Sequence, residues 1–516
     1  MAQQNGHNGT GLSNADRAFQ VLKKLTPKLL INGKFEDAKS GKTFETLDPR
    51  TGEKLVDVAE AQAEDVDRAV RAAKQAYDEG PWPRMTGEQR SRVLLRLADL
   101  VEEHADELAL LETLDNGKTY TQSRTIDVPG TAQHFRYFAG WCDKIQGSTI
   151  PVATEGFTAY TLREPIGVAG QIIPWNFPIL MAGWKLAPAL AAGCTIVLKV
   201  SQYTPLSALR LGELALEAGV PPGVLNVVPG KGSECGDAIS THPLVDKVAF
   251  TGSTSVGKTI MEGAAKNIKP VTLELGGNSP VVVCDDADLE AAVQGAHEAL
   301  FFNMGQACEC GARLFVQEGI YDEFVKRSIE LAKKRKIGDP FDESVAQGPL
   351  VSEKQVDKVL TYVELGKKEG AKLGCGGKRW GDEGFFVEPT VFYDVEDHMA
   401  IARDEIFGPV QVILKFKTID EVIRRGNATE YGLAGAVWTQ NLDRMQALTR
   451  GIKAGTVWVN THHIMDAAVP FGGYNQSGIG REHGSAVLEH YTQASSTKSV
   501  IVPLPKSKEQ RSWVTM

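Results

Sequence analysis

Residues 303–311 read NMGQACECG and set Cys308 and Cys310 on either side of Glu309. A thiolate is nucleophilic near neutral pH, so a cysteine here is a candidate for covalent attack on a carbonyl carbon. The glutamate works against that, because a nearby negative charge raises a thiol pKa unless the side chain points elsewhere. A second chemical pattern lies at 252–259, where GSTSVGKT satisfies G-x-x-x-x-G-K-[ST] after the apolar run KVAF. With the acids of VVVCDD (281–286) as a Mg²⁺ site, it would make a P-loop nucleotide hydrolase. Its Ser-Thr-Ser-Val interior is poor in glycine for a phosphate cradle, however, and a helix starting near Ser253 would offer its free N–H groups to a dinucleotide pyrophosphate equally well. GKGSEC (230–235) falls one glycine short of the dinucleotide fingerprint. The residues alone describe a nucleotide-binding α/β protein.

The elements around these motifs alternate. DVDRAVRAAKQAYDE (65–79) and RVLLRLADLVEEH (92–104) have helical apolar periodicity, as does 205–218. Between and after them come β-rich runs: IGVAGQII (166–173), TIVLKV (195–200), GVLNVV (223–228), KVAF (247–250) and VTLEL (271–275). PVVVC (280–284), GAVW (435–438) and GTVWVN (455–460) form a second alternating stretch that includes a helix from Tyr321 to Arg335. Strands separated by helices predict right-handed βαβ units and largely parallel sheets. At 516 residues the chain exceeds a single core, so two α/β domains are expected. A net charge of -9 argues against nucleic-acid and anionic-membrane partners. Seven scattered cysteines argue against a disulfide framework, and the polar first residues carry no leader pattern, so a cytoplasmic location is expected. The apolar stretch 165–198 is interrupted by Pro174, Pro178, Lys185 and Pro188 and reads as buried strand and helix.

Six ordered segments go further: PWNFP (174–178), FTGST (250–254), LELGGNSP (273–280), FFNMGQACECGAR (301–313), DEIFGPV (404–410) and PFGGYNQSGIGRE (470–482). Together they resemble the NAD(P)-dependent aldehyde dehydrogenase superfamily over about residues 28–503. The chain looks closest to its tetrameric acetaldehyde/retinal-type branch, including plant cytosolic hydroxycinnamaldehyde dehydrogenases. The resemblance implies Cys308 as nucleophile with Cys310 a bystander, Glu274 as general base and Asn176 as oxyanion donor. It implies cofactor contacts from Trp175, Lys199, Gln202, Gly232, Gly252, Ser253, Gly257, Gln355, Lys358, Glu405 and Phe407. It places Phe177, Met181, Trp184, Phe302, Glu309, Met465 and Phe471 along a substrate tunnel, and Lys185 behind the site. An aromatic lining would favour apolar or aromatic aldehydes. The implied reaction is oxidation of an aldehyde to its acid through a cysteine thiohemiacetal and thioester.

The implied architecture is an aldehyde dehydrogenase-like α/β fold. It has a Rossmann-like cofactor domain (28–141 and 161–276), a catalytic domain (277–483) and a small β oligomerisation projection (142–160 and 484–503). A flexible arm (1–27) and a tail (504–516) flank these, and a homotetramer or homodimer follows from the projection. Two residues depart from the family pattern. Gln202 stands where NAD-preferring members carry a glutamate; a neutral amide does not repel a 2′-phosphate, so NAD is expected with NADP left open. Glu309 follows the nucleophile where a small or neutral residue is common. Inside the tunnel it would pair with a cationic or hydroxylated substrate or narrow the space. A catalytically silent homologue is the remaining alternative. His462 and His463 are adjacent and lack further ligands, so they read as loop residues near the tunnel mouth and no metal site is expected.

Overall fold

In the computed structural model, residues 11–493 and 498–503 are described, so the expectations for residues 1–10 and for the tail at 504–516 lie outside the described residues. Two large sheets carry the fold. The first runs Gly478–Ile479, Val271–Glu274, Lys247–Thr251, Val168–Ile172, Thr195–Lys199, Leu225–Val227, Leu29–Ile31, Lys34–Glu36, and its five central strands are parallel. Val168–Ile172, Thr195–Lys199 and Lys247–Thr251 are buried at every position. That is why they read as continuous apolar runs rather than alternating ones.

The second sheet runs Lys372–Cys375, Thr390–Tyr393, Val410–Phe416, Arg313–Gln317, Pro280–Val283, Ala434–Trp438, Thr456–Val459. It is parallel except at the Lys372–Cys375 edge. Thr149–Ile150, Phe157–Leu162 and Lys498–Pro503 make a separate antiparallel sheet. Among the described residues no helix is long and apolar enough to cross a membrane.

Two details depart from the sequence reading. The chain after the second sheet crosses back, and Gly478–Ile479 pairs antiparallel with Val271–Glu274 at the edge of the first sheet. Two residues with no alternation carry no sequence signal for a strand. At the other end, the arm expected to be flexible to residue 27 contains the helix Asn14–Leu22. Ser13 Oγ accepts from the Asp16 N–H at 3.1 Å, the Asp16 carboxylate accepts from the Ser13 N–H at 3.3 Å, and Ala18 is fully buried. This reciprocal capping satisfies two free donors of the first turn.

A buried polar triad braces the loop that holds Asn176. Lys118 Nζ donates to Asp127 Oδ2 at 2.7 Å and to Glu112 Oε1 at 3.3 Å, and all three side chains are fully buried. Glu112 Oε2 accepts from the Ile179 N–H at 3.3 Å, in the first turn of the helix Pro178–Ala192. A carboxylate there answers the positive end of the helix dipole. Lys118 Nζ also lies 4.4 Å from the centroid of the Phe177 ring. Lys118→Met strips the counter-charge from two buried carboxylates. It is expected to cost about 3–5 kcal/mol, read as a lower midpoint of urea unfolding.

Candidate active site

The carboxyl ends of the parallel strands in the first sheet face the loops of the second, where an open α/β sheet binds its ligands. Val168–Ile172 leads into the loop bearing Asn176. Asn116 Nδ2 donates to the Trp175 carbonyl at 2.6 Å and Asn303 Nδ2 to the Asn176 carbonyl at 3.0 Å, so the loop is fixed from two sides. The Asn176 side chain donates from Nδ2 to the Gln306 carbonyl at 3.0 Å. An amide nitrogen carries two hydrogens, which leaves one N–H free. Beyond the loop, the helix Pro178–Ala192 presents Met181 and Trp184 to a cavity of 510 Å³.

Cys308 enters that cavity from the other side. The helix Leu289–Phe301 ends in a turn where Asn303, Met304 and Gly305 have φ of 47°, 57° and 71°. Phe407 and His463, which also line the cavity, have φ of 61° and 58°. Left-handed backbone at non-glycine residues costs of order 1–3 kcal/mol and clusters where surrounding packing imposes it. After Cys308 the chain is anchored by Arg313, which donates to the carbonyls of Asn278 at 2.9 Å and Gly426 at 2.7 Å. Cys310 turns away, its Sγ donating to the Leu300 carbonyl at 3.5 Å. Burial first, and Glu309 second, push the Cys308 thiol well above its usual range.

The two glycines of LELGG are required by contact. A Cβ on Gly277 would stand 2.3 Å from the Cys308 carbonyl oxygen, and one on Gly276 would stand 2.6 Å from Glu405 Oε2. Glu405 Oε1 accepts from the Gly277 N–H at 2.9 Å. Burial pushes its carboxyl up to about 7, against the pull of that N–H and of Lys358. Gln355 donates to the Phe407 carbonyl at 2.7 Å, and the Phe407 ring meets Trp175 edge-on at 5.4 Å. Glu274, at the end of its strand, is buried with Oε2 free of any hydrogen-bond partner among the described residues. Burial first, then Glu482, raises its carboxyl well above the ordinary range, with Lys185 and Arg481 opposing. Behind it Lys185 and Glu482 form a buried ion pair.

The residues present fit a dinucleotide. The ammonium of Lys199, at the end of its strand, makes no hydrogen bond or ion pair among the described residues, and burial lowers it to about 8. Ser253 precedes the helix Thr254–Ala265 without capping it, so the first N–H groups remain open. The same helix overturns the P-loop reading. Thr254 to Gly257 are already helical, so no loop wraps a phosphate, and Lys258 is exposed. The acids offered for Mg²⁺ are engaged elsewhere, Asp286 with Thr439 and both Asp285 and Asp286 with Arg444.

The cavity gathers Trp175, Asn176, Phe177, Met181, Trp184 and Phe302 with Cys308, Glu309 and Met465. Gly252, Ser253, Gln355, Lys358, Glu405 and Phe407 line it as well. Lys199, Gln202 and Gly232 lie off it, as does Gly257, whose missing Cβ lets Leu275 pack against the helix. Phe471, expected on the tunnel wall, lies behind Trp184 with ring centroids 5.6 Å apart. His463 was read only as a loop residue, yet its Nδ1 lies 3.2 Å from Glu309 Oε1. The two residues are 154 positions apart, and no sequence pattern joins them. No cluster of metal-ligating side chains occurs among the described residues.

Residues 35–497 match the Aldehyde dehydrogenase family. The chain belongs to the aldehyde dehydrogenase family. This aldehyde dehydrogenase is 58% identical over 480 residues to "Aldehyde dehydrogenase family 2 member B4, mitochondrial" of Arabidopsis thaliana, covering 93% of this chain and 88% of the relative. It is 56% identical over 478 residues to "Benzaldehyde dehydrogenase, mitochondrial" of Antirrhinum majus, covering 92% and 89%. Among solved structures, an NAD+ complex of aldehyde dehydrogenase from Bacillus cereus superimposes with a TM-score of 0.91 at 51% identity, covering 93% of this chain and 96% of that one. The enzyme thus oxidises aldehydes with a nicotinamide cofactor. Gly277→Ala in this aldehyde dehydrogenase should drive the Cys308 backbone out of place. Turnover is expected to fall about 100-fold in a nicotinamide-reduction assay.

Proposed function

We propose that the enzyme oxidises apolar or aromatic aldehydes, with Cys308 as the covalent nucleophile. The observation that carries this is the cavity wall around Cys308, where Phe177 and Phe302 stack at 5.8 Å beside Met181, Trp184 and Met465. The relative named for benzaldehyde supports it. Cys308 Sγ bonds to the aldehyde carbon, and the free N–H of Asn176 with the Cys308 backbone N–H stabilises the oxyanion. Lys199, Ser253, Gln355, Lys358 and Glu405 would hold NAD(P)+, which supplies the hydride acceptor when bound. Trp175 and Phe407 would wall the nicotinamide side. Glu274 then takes a proton from the water that cleaves the thioester, and Lys185 with Glu482 lies behind it as a proton exit.

The neutral amide of Gln202 leaves both cofactors acceptable, with NAD preferred. The first sheet serves as the cofactor domain and the second as the catalytic domain. The three-stranded sheet, with exposed Phe157, Leu162 and Ile501, supports a homotetramer of the acetaldehyde/retinal type. Seven unpaired cysteines fit a reducing compartment such as the cytosol.

The test is nicotinamide reduction by the purified protein, with NAD and NADP separately, over aliphatic, hydroxycinnamic and amino-aldehydes. Aromatic aldehydes should give the highest kcat/KM and Cys308→Ala should abolish turnover. Gln202→Glu should depress NADP use while sparing NAD. Cysteine-independent reduction, or a preference for cationic amino-aldehydes, would overturn the reading. A further outcome follows from Glu274. Burial and Glu482 raise its carboxyl well above the ordinary range, so its basic form is gained as pH rises. Thioester hydrolysis should therefore climb with pH past the ordinary carboxylate range, and Glu274→Gln should slow and flatten that climb in single-turnover measurements.

A further inference from the structure

The aldehyde-oxidising chemistry leaves one buried carboxylate on the cavity wall without a role. Glu309 is 6% exposed, and both its oxygens are engaged. Oε2 accepts from Cys308 Sγ at 3.3 Å, and Oε1 lies 3.2 Å from His463 Nδ1. The other imidazole nitrogen, Nε2, lies 3.1 Å from the Ala299 carbonyl oxygen. A carboxylate oxygen and a backbone carbonyl thus face the two ring nitrogens. Phe302 fixes the imidazole further, its ring centroid 4.7 Å away, and the backbone of His463 is held at φ 58°. Glu274, by contrast, does not line the cavity and makes no hydrogen bond to Cys308.

We propose that Glu309, positioned by His463, is the base that receives the Cys308 proton as sulfur attacks the aldehyde. The proposal deepens the reading of Cys308 as nucleophile and rests on it. The Sγ–H bond breaks and its proton passes to Glu309 Oε2. The sulfur electron pair forms the S–C bond, and the carbonyl π pair moves to the oxygen. Burial alone would raise the Glu309 carboxyl, but the His463 hydrogen bond and charge overcome it and leave the group below its ordinary range. It therefore enters the reaction ionised, as a base must. The thiol beside it is raised, so Cys308 rests protonated and needs an acceptor in contact. After transfer Glu309 is neutral and the negative charge rests on the carbonyl oxygen. Glu274 is left to the water step.

The decisive experiment is alkylation of Cys308 by iodoacetamide without cofactor, with Cys308→Ala giving the background from the other cysteines. At pH 7, Glu309→Gln is expected to slow alkylation about 100-fold. Glu309→Asp should recover part of the rate, and unfolding midpoints should stay near the parent's. His463→Gln removes the partner that holds the Glu309 carboxyl low, so the rise of alkylation rate with pH should move to higher pH. The other ionisable groups acting on this pair are Glu274 and Glu405 at Cys308 and His462 beside His463. Glu309→Gln alkylating as fast as the parent or faster would overturn the proposal, because Glu309 would then act only as a repelling charge. A folded Glu309→Asp as slow as Glu309→Gln would overturn it too, leaving a packing role. Aldehyde-dependent nicotinamide reduction with Cys308→Ala decides the function separately, so failure of one reading is distinguishable from failure of the other.

Discussion

The structure around Cys308 is governed by the cost of taking ionisable groups out of water. An isolated buried charge is too expensive to keep, so each must meet a counter-charge or give up its ionised form. Lys118 meets Glu112 and Asp127, Lys185 meets Glu482, and Glu309 meets His463. Glu405 has only a backbone N–H in contact and is correspondingly raised. Among the described residues Lys199 Nζ meets no acceptor and Glu274 Oε2 has no hydrogen-bond partner. Unpaired polar groups of this kind leave room for a ligand or water to supply the missing partner.

The same economy fixes the backbone. The Asn176 loop is tied to Asn116 and Asn303, the Phe407 loop to Gln355, and the segment after Cys308 to Arg313. Those side chains spend their donors on carbonyls of irregular backbone, which has no ladder of its own to satisfy it. Left-handed residues at 303, 304, 407 and 463 are the consequence: loops from two sheets are pulled into one wall, and three of the turns carry residues outside the ordinary basins. A wall built this way is stiff, which suits a site that must hold a sulfur, an amide donor and a cofactor in register.

How much of this the sequence disclosed depends on how local each feature is. Parallel strands buried at every position were legible as apolar runs, and their alternation with helices gave both sheets. Cys308 was separable from Cys310 only through the segment pattern, since both flank Glu309 symmetrically; burial of Cys310 against Leu300 is what distinguishes them physically. The capped helix at Asn14 was written locally, in Ser13 and Asp16, but a single polar turn signal did not outweigh a polar arm. Gly478–Ile479 and the placement of Phe471 behind Trp184 are set by contacts across the chain and have no local signature. The pairing of His463 with Glu309 belongs to the same class. Adjacent histidines on a loop predict nothing until the fold decides which carboxylate one of them faces.

That pairing gives Glu309 and Glu274 opposite electrostatic fates within one site. Glu309 is held low by its contact with His463 against the effect of burial, whereas Glu274 is raised by burial and by Glu482. Two carboxyl groups pushed apart in this way suit two different proton transfers. The first step removes a proton from a resting thiol, so its acceptor must already be ionised and in contact with sulfur, as Glu309 is. The second removes a proton from water that arrives only after the thioester has formed, so its acceptor gains by staying uncharged and unpaired until then. Had Glu274 been ionised at rest, a second negative charge would face the developing thiolate and oppose the first step. The separation of roles is thus a consequence of where the counter-charges lie: His463 on the wall beside sulfur, and Lys185 drawn off to Glu482 behind.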